Sequence, residues 1–501
     1  MEDQRGGLLS LEQPTGYRVD PRRFAIQVTL AIVLAWLPVP VTVLLGRPAG
    51  WAATLLLALL VWGICGRGER FVLAVGFIAS SALSASGLVT PQTIYQPVVV
   101  TGAAFALAAG APILRDRRLP ALPPAPVLAA LGAYLAWAAV STAFSIDRRS
   151  SLVYLVGMLL SLVATFVVLP AAVRTRGHRR WLFAALAGLA VAVAFGHYLL
   201  ALTGPITIWG RPLGDYLLTQ LVIFGKPTGL VVPRVAGIYL APAAGTAVLV
   251  VGLAGSLALR LEAAGRTRLW LTLIAAFITG AVVISQARDG LVMGVVVTGA
   301  LTGAAWLGRR VTDWASLVIF LLLGLLALGN LSGSLAFTSR TVAVASGSND
   351  VLPLTHSGTE LSGRAALWEA SIQAVKLRPL VGSGPGTNPA AISPYLTGVY
   401  LHYRGLTSHS IWFRTAVEMG ISGLLVLLLV LAMVALAVAR RLLLRPALRS
   451  DPTYVALIAC AVAIAAGLTF ESALLGGLAY TSLFWATCMG ILVADNQEML
   501  A

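Results

Sequence analysis

The chain has 501 residues, 58% hydrophobic and only 11% charged, with a formal net charge of +16. Soluble globular chains carry about 25% charged residues, and the apolar runs here are too long and too many for one soluble core, which excludes a soluble protein. The positive charge does not point to nucleic acid, because the basic residues are scattered in short runs between apolar segments, the pattern of a chain whose partner is the lipid bilayer.

Residues 1–22 mix acids with Arg5, Arg18 and Arg22 and read as a cytoplasmic tail without a cleavable signal. A spanning helix needs roughly 20 mostly apolar residues. Such runs follow at about 23–46, 50–66, 71–89, 96–114, 124–144, 152–173, 181–203, 236–259, 268–285, 290–307, 314–336, 410–439, 454–471 and 474–494. The second is short, so the expectation is an all-α, polytopic transmembrane helical bundle of 12–14 spans. The arginine runs at Arg67/Arg70, Arg115/Arg117/Arg118, Arg174/Arg176/Arg179/Arg180, Arg260/Arg266/Arg268, Arg309/Arg310 and Arg440/Arg441/Arg445 alternate with these spans. They place both termini in the cytoplasm by the positive-inside rule.

Two outward segments are too long to be turns. The first, 204–235, interrupts the helices of 23–336 and is rich in Gly and Pro. The second, 337–409, is polar and forms the single large, partly helical extracytoplasmic loop before the C-terminal helices of 410–494 and a short tail at 495–501. Within it Trp368, Ile372 and Val375 recur at helical spacing over Gly363–Leu377, which predicts an amphipathic helix lying on the membrane surface or on a neighbouring span. Cys65, Cys460 and Cys488 fall inside apolar runs without metal-ligand spacing and read as small core residues.

The spans are nearly free of ionisable groups at mid-depth, unlike ion-coupled pumps. Charged residues gather instead at the outer mouths: Arg234, Arg288, Arg364 and His409, all on one face by topology. Each has a plain reading, since interfacial arginines snorkel to head groups, Arg288 has Asp289 beside it, and a lone histidine is often incidental. Taken together they suit a different purpose. Arginine holds a diphosphate through a fork of donors, and histidine is the side chain best poised to take a proton near neutral pH. No Asp-x-Asp motif offers a metal site, so no metal or other cofactor is expected. Gly382, Gly384 and Gly386 would present backbone amides to an anion, or simply form turns. Arg414 and Glu418 stand four apart, as a structural ion pair would.

These segments resemble the O-antigen ligase and O-antigen polymerase superfamily of bacterial membrane glycosyltransferases. The resemblance rests on Ser145-Ile146-Asp147 with Ser150, and on Arg234 with Gly237 and Pro242. It continues through Ser285 to Gly290, Arg364 with Trp368, Arg378-Pro379-Leu380-Val381-Gly382-Ser383-Gly384-Pro385-Gly386, and His409 followed by Glu418, Gly420 and Gly423. Ser410 stands where the family has Asn, and Asp289 where Gly commonly follows the arginine. The resemblance implies a glycan donor carried on undecaprenyl diphosphate and a glycan or lipid acceptor. Arg234, Arg288 and Arg364 would grip the diphosphate, and His409 would activate the acceptor hydroxyl; Glu418 is the competing candidate for that catalytic role. Ligase and polymerase share this layout; the single late loop leans to ligase. A lipid-linked glycan transporter or flippase is the alternative from another class, and would show charges lining a mid-membrane cavity.

Overall fold

The structure, a computed structural model, describes residues 21–65, 70–83, 101–102, 122–173, 175–208, 211–212, 214, 216–223, 226–239, 242–307, 314–336, 364–397, 401, 404–469, 471, 474–477 and 479–494. The tail at 495–501, most of the tail at 1–22, nearly all of the span at 96–114 and the part of the large loop at 337–363 lie outside the described residues.

Helices α1 (Pro21–Trp36), α2 (Pro38–Leu45), α3 (Arg47–Cys65) and α4 (Arg70–Leu83) open the chain. The single span expected at 23–46 is broken at Leu37, because Pro38 has no N–H to give the preceding turn and its ring crowds it. Then come α5 (Ala125–Ala143), α6 (Arg148–Val163), which runs on through a π turn at Ala164–Val168, and α7 (Arg176–Thr203).

The expected irregular loop at 204–235 instead holds strands. Short β1 (Thr207–Ile208) pairs with β2 (Arg211–Pro212), and β3 (Tyr216–Ile223) pairs antiparallel with β4 (Lys226–Val235). Thr219, Val222, Ile223, Val231, Val232 and Val235 carry the β preference, which the glycines and prolines obscure in the sequence. Pro233, opposite Leu218, is tolerated because a two-stranded ribbon has only edge strands.

Helices α8 (Pro242–Glu262), α9 (Gly265–Ser285), α10 (Arg288–Leu307) and α11 (Trp314–Ala336) follow. After the large loop come α12 (Arg364–Leu377), the short α13 (Asn388–Ile392), the long α14 (Ile411–Leu444), α15 (Pro452–Leu468) and α16 (Tyr480–Val493). Among the described residues eight helices are long and apolar enough to cross a membrane and five shorter ones are apolar, and together they fall on every expected span except that at 96–114.

Burial separates centre from rim. The spanning window of α8 is 83% buried, and it packs on α7, α9, α10 and α15. Its sequence is rich in Ala, Gly and Ser, small residues that let neighbouring backbones approach. The window of α14 is only 22% buried, and Ile421, Leu425, Leu428, Leu429 and Leu436 stand exposed along it. An apolar face that long is unstable in water, whereas helices satisfy their own backbone groups and can present it to lipid. The protein is thus an all-α polytopic membrane bundle with two small antiparallel strand pairs inserted between α7 and α8.

Helix α12 does pack on a neighbouring span, α14, with Trp368 stacked on Phe413 and Val375 against a small core. Leu367, Ala370 and Ser371 are buried, with Leu367 and Ala370 in a small core shared with Ile392, Leu396 and Val417, while Ile372 is exposed.

At the end of the bundle where α7 and α15 begin, arginines meet carboxylates. Arg176 and Arg180 both donate to Glu262 at the end of α8, and the fully buried Arg179 pairs with Asp451 at 2.7 Å. Burial alone would raise the Asp451 carboxyl, but Arg179 and the Thr453 hydroxyl outweigh it and hold the group below the usual carboxylate range.

Candidate active site

At the opposite end, β4 delivers Arg234, half-buried and opposite Leu217. The chain then turns at Gly237, with φ of 63°. A Cβ there would run into the imidazole of His197, which is fully buried on α7. Only glycine combines that backbone angle with that closeness, which accounts for the Arg-x-x-Gly spacing.

Helix α9 ends at Ser285, and Gln286 takes a left-handed conformation, φ 48° and ψ 25°. The Ser285 hydroxyl accepts the Ala287 N–H at 3.3 Å, closing the turn from which Arg288 starts α10. The Gln286 side-chain amide donates to the Pro233 carbonyl at 3.4 Å and ties the two arginine segments together.

Arg364 is the first residue of α12. One turn on, the Trp368 indole N–H donates to the Ser408 carbonyl at 3.0 Å and its ring stacks on Phe413 with centroids 5.5 Å apart. The Ser371 hydroxyl donates to Ser408 Oγ at 2.9 Å, and the Ser408 N–H donates to Asn388 Oδ1 at 2.8 Å. With Ser408 held this way, His409 turns left-handed at φ 45° before α14 begins. Among the described residues, Gln286 and His409 are the non-glycine positions with positive φ. Such conformations cost about 1–3 kcal/mol each and cluster where function needs them.

Electrostatics links the four. The Arg288 guanidinium lies in the positive field of Arg364 and Arg234. Buried Asp289 lies in the field of Glu471, of like charge, and of Arg364. Glu471 in turn places Oε1 3.6 Å from His409 Nδ1, the separation of an ion pair rather than a hydrogen bond. The structure thus gathers Arg234, Arg288, Arg364 and His409 at one end of the bundle. Arginines held among arginines in a half-buried setting repel one another, a cost that an anionic ligand would relieve.

The glycine-rich segment is not free to do so. The Gly382 N–H donates to the Arg378 carbonyl at 3.1 Å, Gly384 to the Glu418 carbonyl at 2.8 Å, and Gly386 to Glu418 Oε2 at 2.8 Å. An anion cradle needs uncommitted amides, so the expected role of Gly382, Gly384 and Gly386 is replaced by a structural one. The Glu418 carbonyl is open to Gly384 because α14 breaks at Gly420, with φ of 72° and ψ of 179°. A side chain at Gly420 would collide with the Leu380 carbonyl. The break frees the carbonyls of Val417, Glu418 and Met419. Ser383 takes the first at 2.9 Å, Ser141 Oγ shares the second at 2.8 Å, and the Trp137 indole takes the third at 2.8 Å. Two motifs separate in sequence, Arg378–Gly386 and Glu418-x-Gly420, are therefore one hydrogen-bonded unit. The turn Ser145–Asp147 docks on it as well, through Ile146 N–H to the Ser383 carbonyl at 3.0 Å. Ser150 donates to Asp147 through both its hydroxyl and its backbone N–H, which keeps that carboxyl below the usual range and caps α6.

Glu418 differs from expectation in the same way. It is fully buried, and its carboxylate accepts from Gly386 N–H, from Asn388 N–H at 3.2 Å and from Arg414 Nε at 3.0 Å. Arg414 also reaches the Tyr154 hydroxyl at 3.1 Å. A carboxylate with three donors and no exposure positions the loop rather than meeting a substrate. The plain reading of Arg414 and Glu418 as an ion pair is the one the geometry supports.

Glu471 was not anticipated. Its sequence signal is that it is the only charged residue between Pro452 and Ala494, standing in the turn between the last two spans, opposite His409 only once the helices pack.

A membrane-helix bundle that collects arginines, a strained histidine and carboxylates at one end defines a polytopic membrane protein with a charged site where the bundle meets its surroundings. Residues 271–428 match the family model described as O-antigen ligase. Over that segment the protein is similar to the O-antigen ligase family, which supports a place in the O-antigen ligase superfamily. No curated protein matches it. The matched segment runs from α9 into α14 and takes in Arg288, Arg364, His409 and Glu418, whereas Arg234 and Glu471 lie outside it.

Proposed function

We propose that the protein is a metal-independent, inverting glycosyltransferase. It moves a glycan from an undecaprenyl-diphosphate carrier to an acceptor hydroxyl on the outer face of the bacterial cytoplasmic membrane, as an O-antigen ligase would. The observation that carries this reading is the gathering of Arg288 with Arg234 and Arg364 at the end of the bundle where His409 begins α14. Guanidinium forks suit a diphosphate. As the anomeric C–O bond breaks, negative charge grows on the departing lipid diphosphate, and arginines already in place stabilise it without reorganising. His409 takes the acceptor's hydroxyl proton while the acceptor oxygen attacks from the opposite side, which inverts the anomeric configuration. Glu418 acts through the Arg378–Gly386 loop and positions the floor of the site. Its three donors argue for that role and against a second base.

The test is transfer by purified protein supplied with lipid-linked glycan and candidate acceptors, with mass analysis of the products. A glycan joined to a lipid or other anchor supports the ligase reading; a lengthened lipid-linked glycan makes it a polymerase; no transfer with any acceptor removes the enzyme reading. EDTA should leave the rate intact. Strong inhibition reversed by magnesium or manganese would overturn the metal-independent mechanism.

A further inference from the structure

Glu471 stands outside the segment that matches the family, yet it is the carboxylate nearest the site's histidine. Its Oε1 lies 3.6 Å from His409 Nδ1, with both side chains about one-quarter to one-third exposed, so each reaches open space at the same place. Two separate features bring them there. His409 is turned by its left-handed backbone, on a Ser408 that Asn388, Ser371 and Trp368 hold in place. Glu471 follows the end of α15, the span antiparallel to α14, so the close of one helix faces the opening of the other. Asp289 on α10 lies in the field of Glu471 and of Arg364 on α12, and the field of Arg364 also reaches Arg288 on α10. Arg414, further along α14, is engaged by Glu418 and Tyr154.

We propose that Glu471 is the positioning residue of the base: its carboxylate holds the Nδ1 side of His409 so that Nε2 faces the acceptor hydroxyl, and it stabilises the imidazolium that forms. This rests on the reading of His409 as the base. In the step, the acceptor O–H proton goes to Nε2 and the acceptor oxygen bonds the anomeric carbon. The bond from that carbon to the diphosphate breaks, and its electron pair leaves with the lipid diphosphate. The Nδ1 proton stays on His409, facing the Glu471 carboxylate, and Nε2 returns its proton to water afterwards. A neutral imidazole has one N–H and one lone pair, and which nitrogen carries which is set by the group opposite. A carboxylate at Nδ1 fixes the tautomer that leaves Nε2 basic, the same logic as in the Ser-His-Asp arrangement. Asp289 cannot take this part, because it is 5% exposed and sits beside Arg364.

The experiment compares purified full-length Glu471→Gln, Glu471→Asp and His409→Ala proteins, with lipid-linked glycan as donor and the acceptor found for the unaltered protein. Donor affinity serves as the check that each variant is folded. Glu471→Gln should lower kcat on the order of 10- to 10³-fold with donor KM nearly unchanged. Neutralising the carboxylate removes the charge that favours the imidazolium, so the acid limb of the kcat profile should move to lower pH. Glu471→Asp should restore part of the rate and return the limb toward its original position. A Glu471→Gln protein with unaltered kcat and limb would overturn the proposal. So would a fall in kcat with the limb unmoved and no rescue by Asp, which marks a structural residue. If instead His409→Ala keeps most of its activity, the base assignment itself fails, whatever Glu471 does.

Discussion

The same residue type is used in opposite ways at the two ends of this bundle. At the Arg176 end, Arg176, Arg179 and Arg180 are met by Glu262 and Asp451, helix terminus to helix terminus, and Arg179 is completely buried in the process. At the Arg288 end, Arg288 has Arg234 and Arg364 for neighbours, and the backbone nearby is strained at Gln286 and His409. A buried pair that is well hydrogen-bonded holds elements in register. Like charges gathered beside strained backbone lower stability, and persist where a ligand or a reaction needs them. The difference supports the proposal that one end is a clamp and the other a site, before any family is invoked.

That contrast can be broken by experiment. The largest effect should come from His409→Ala, a loss of about 10²–10⁴-fold in transfer rate with thermal midpoint and donor binding retained; retention of most activity would remove the distinction at its centre. Next, Arg288→Ala and Arg179→Ala should give crossed results. Arg288→Ala should cost on the order of 10²–10³-fold in kcat while its thermal midpoint holds or rises, since a repulsion has been removed. Arg179→Ala leaves Asp451 buried without its main partner, which should destabilise the protein by about 3–5 kcal/mol and leave the turnover of the folded fraction unchanged. Calorimetry or thermal shift of the purified proteins, beside the transfer assay, reads both arms. If Arg288→Ala were the unstable one, the two ends would not differ as argued.

Smaller effects sharpen the picture. Gly420→Ala forces a side chain into a left-handed position against the Leu380 carbonyl and should cost about 1–3 kcal/mol, with activity falling in step because the Arg378–Gly386 loop is anchored there. The smallest effect is that of pH on the clamp. Asp451 has a depressed folded value, so its stabilisation is present above the unfolded carboxylate value of about 3.9 and is lost as pH falls through the folded one. The clamp should hold across neutral and mildly acidic pH and loosen only below about pH 4, and Asp451→Asn should abolish that acid step in a thermal-shift titration.

The sequence by itself determined that the chain is an all-α polytopic membrane bundle and roughly where its apolar helices fall. Hydropathy over a window of about 20 residues is a local property set by bilayer thickness, and it needs no knowledge of neighbours. Local reading failed where local signals conflict or pairs form at a distance. The β3–β4 ribbon was hidden because Gly and Pro outweigh valines in a composition count, and pairing across the turn decides the matter. On α12 the spacing picked out Trp368 and Val375, which pack, but it also took in Ile372, which is exposed, and passed over Leu367 and Ala370, which fill the small core. Gly382, Gly384 and Gly386 read as an anion cradle, but packing gives their amides the Arg378 carbonyl, the Glu418 carbonyl and the Glu418 carboxylate as acceptors. Glu418 and His409 lie nine residues apart and look equally chemical in the sequence. Only the fold shows that one carboxylate is closed in by three donors while the histidine turns toward Glu471, because burial and partners belong to the packed chain, not to its order.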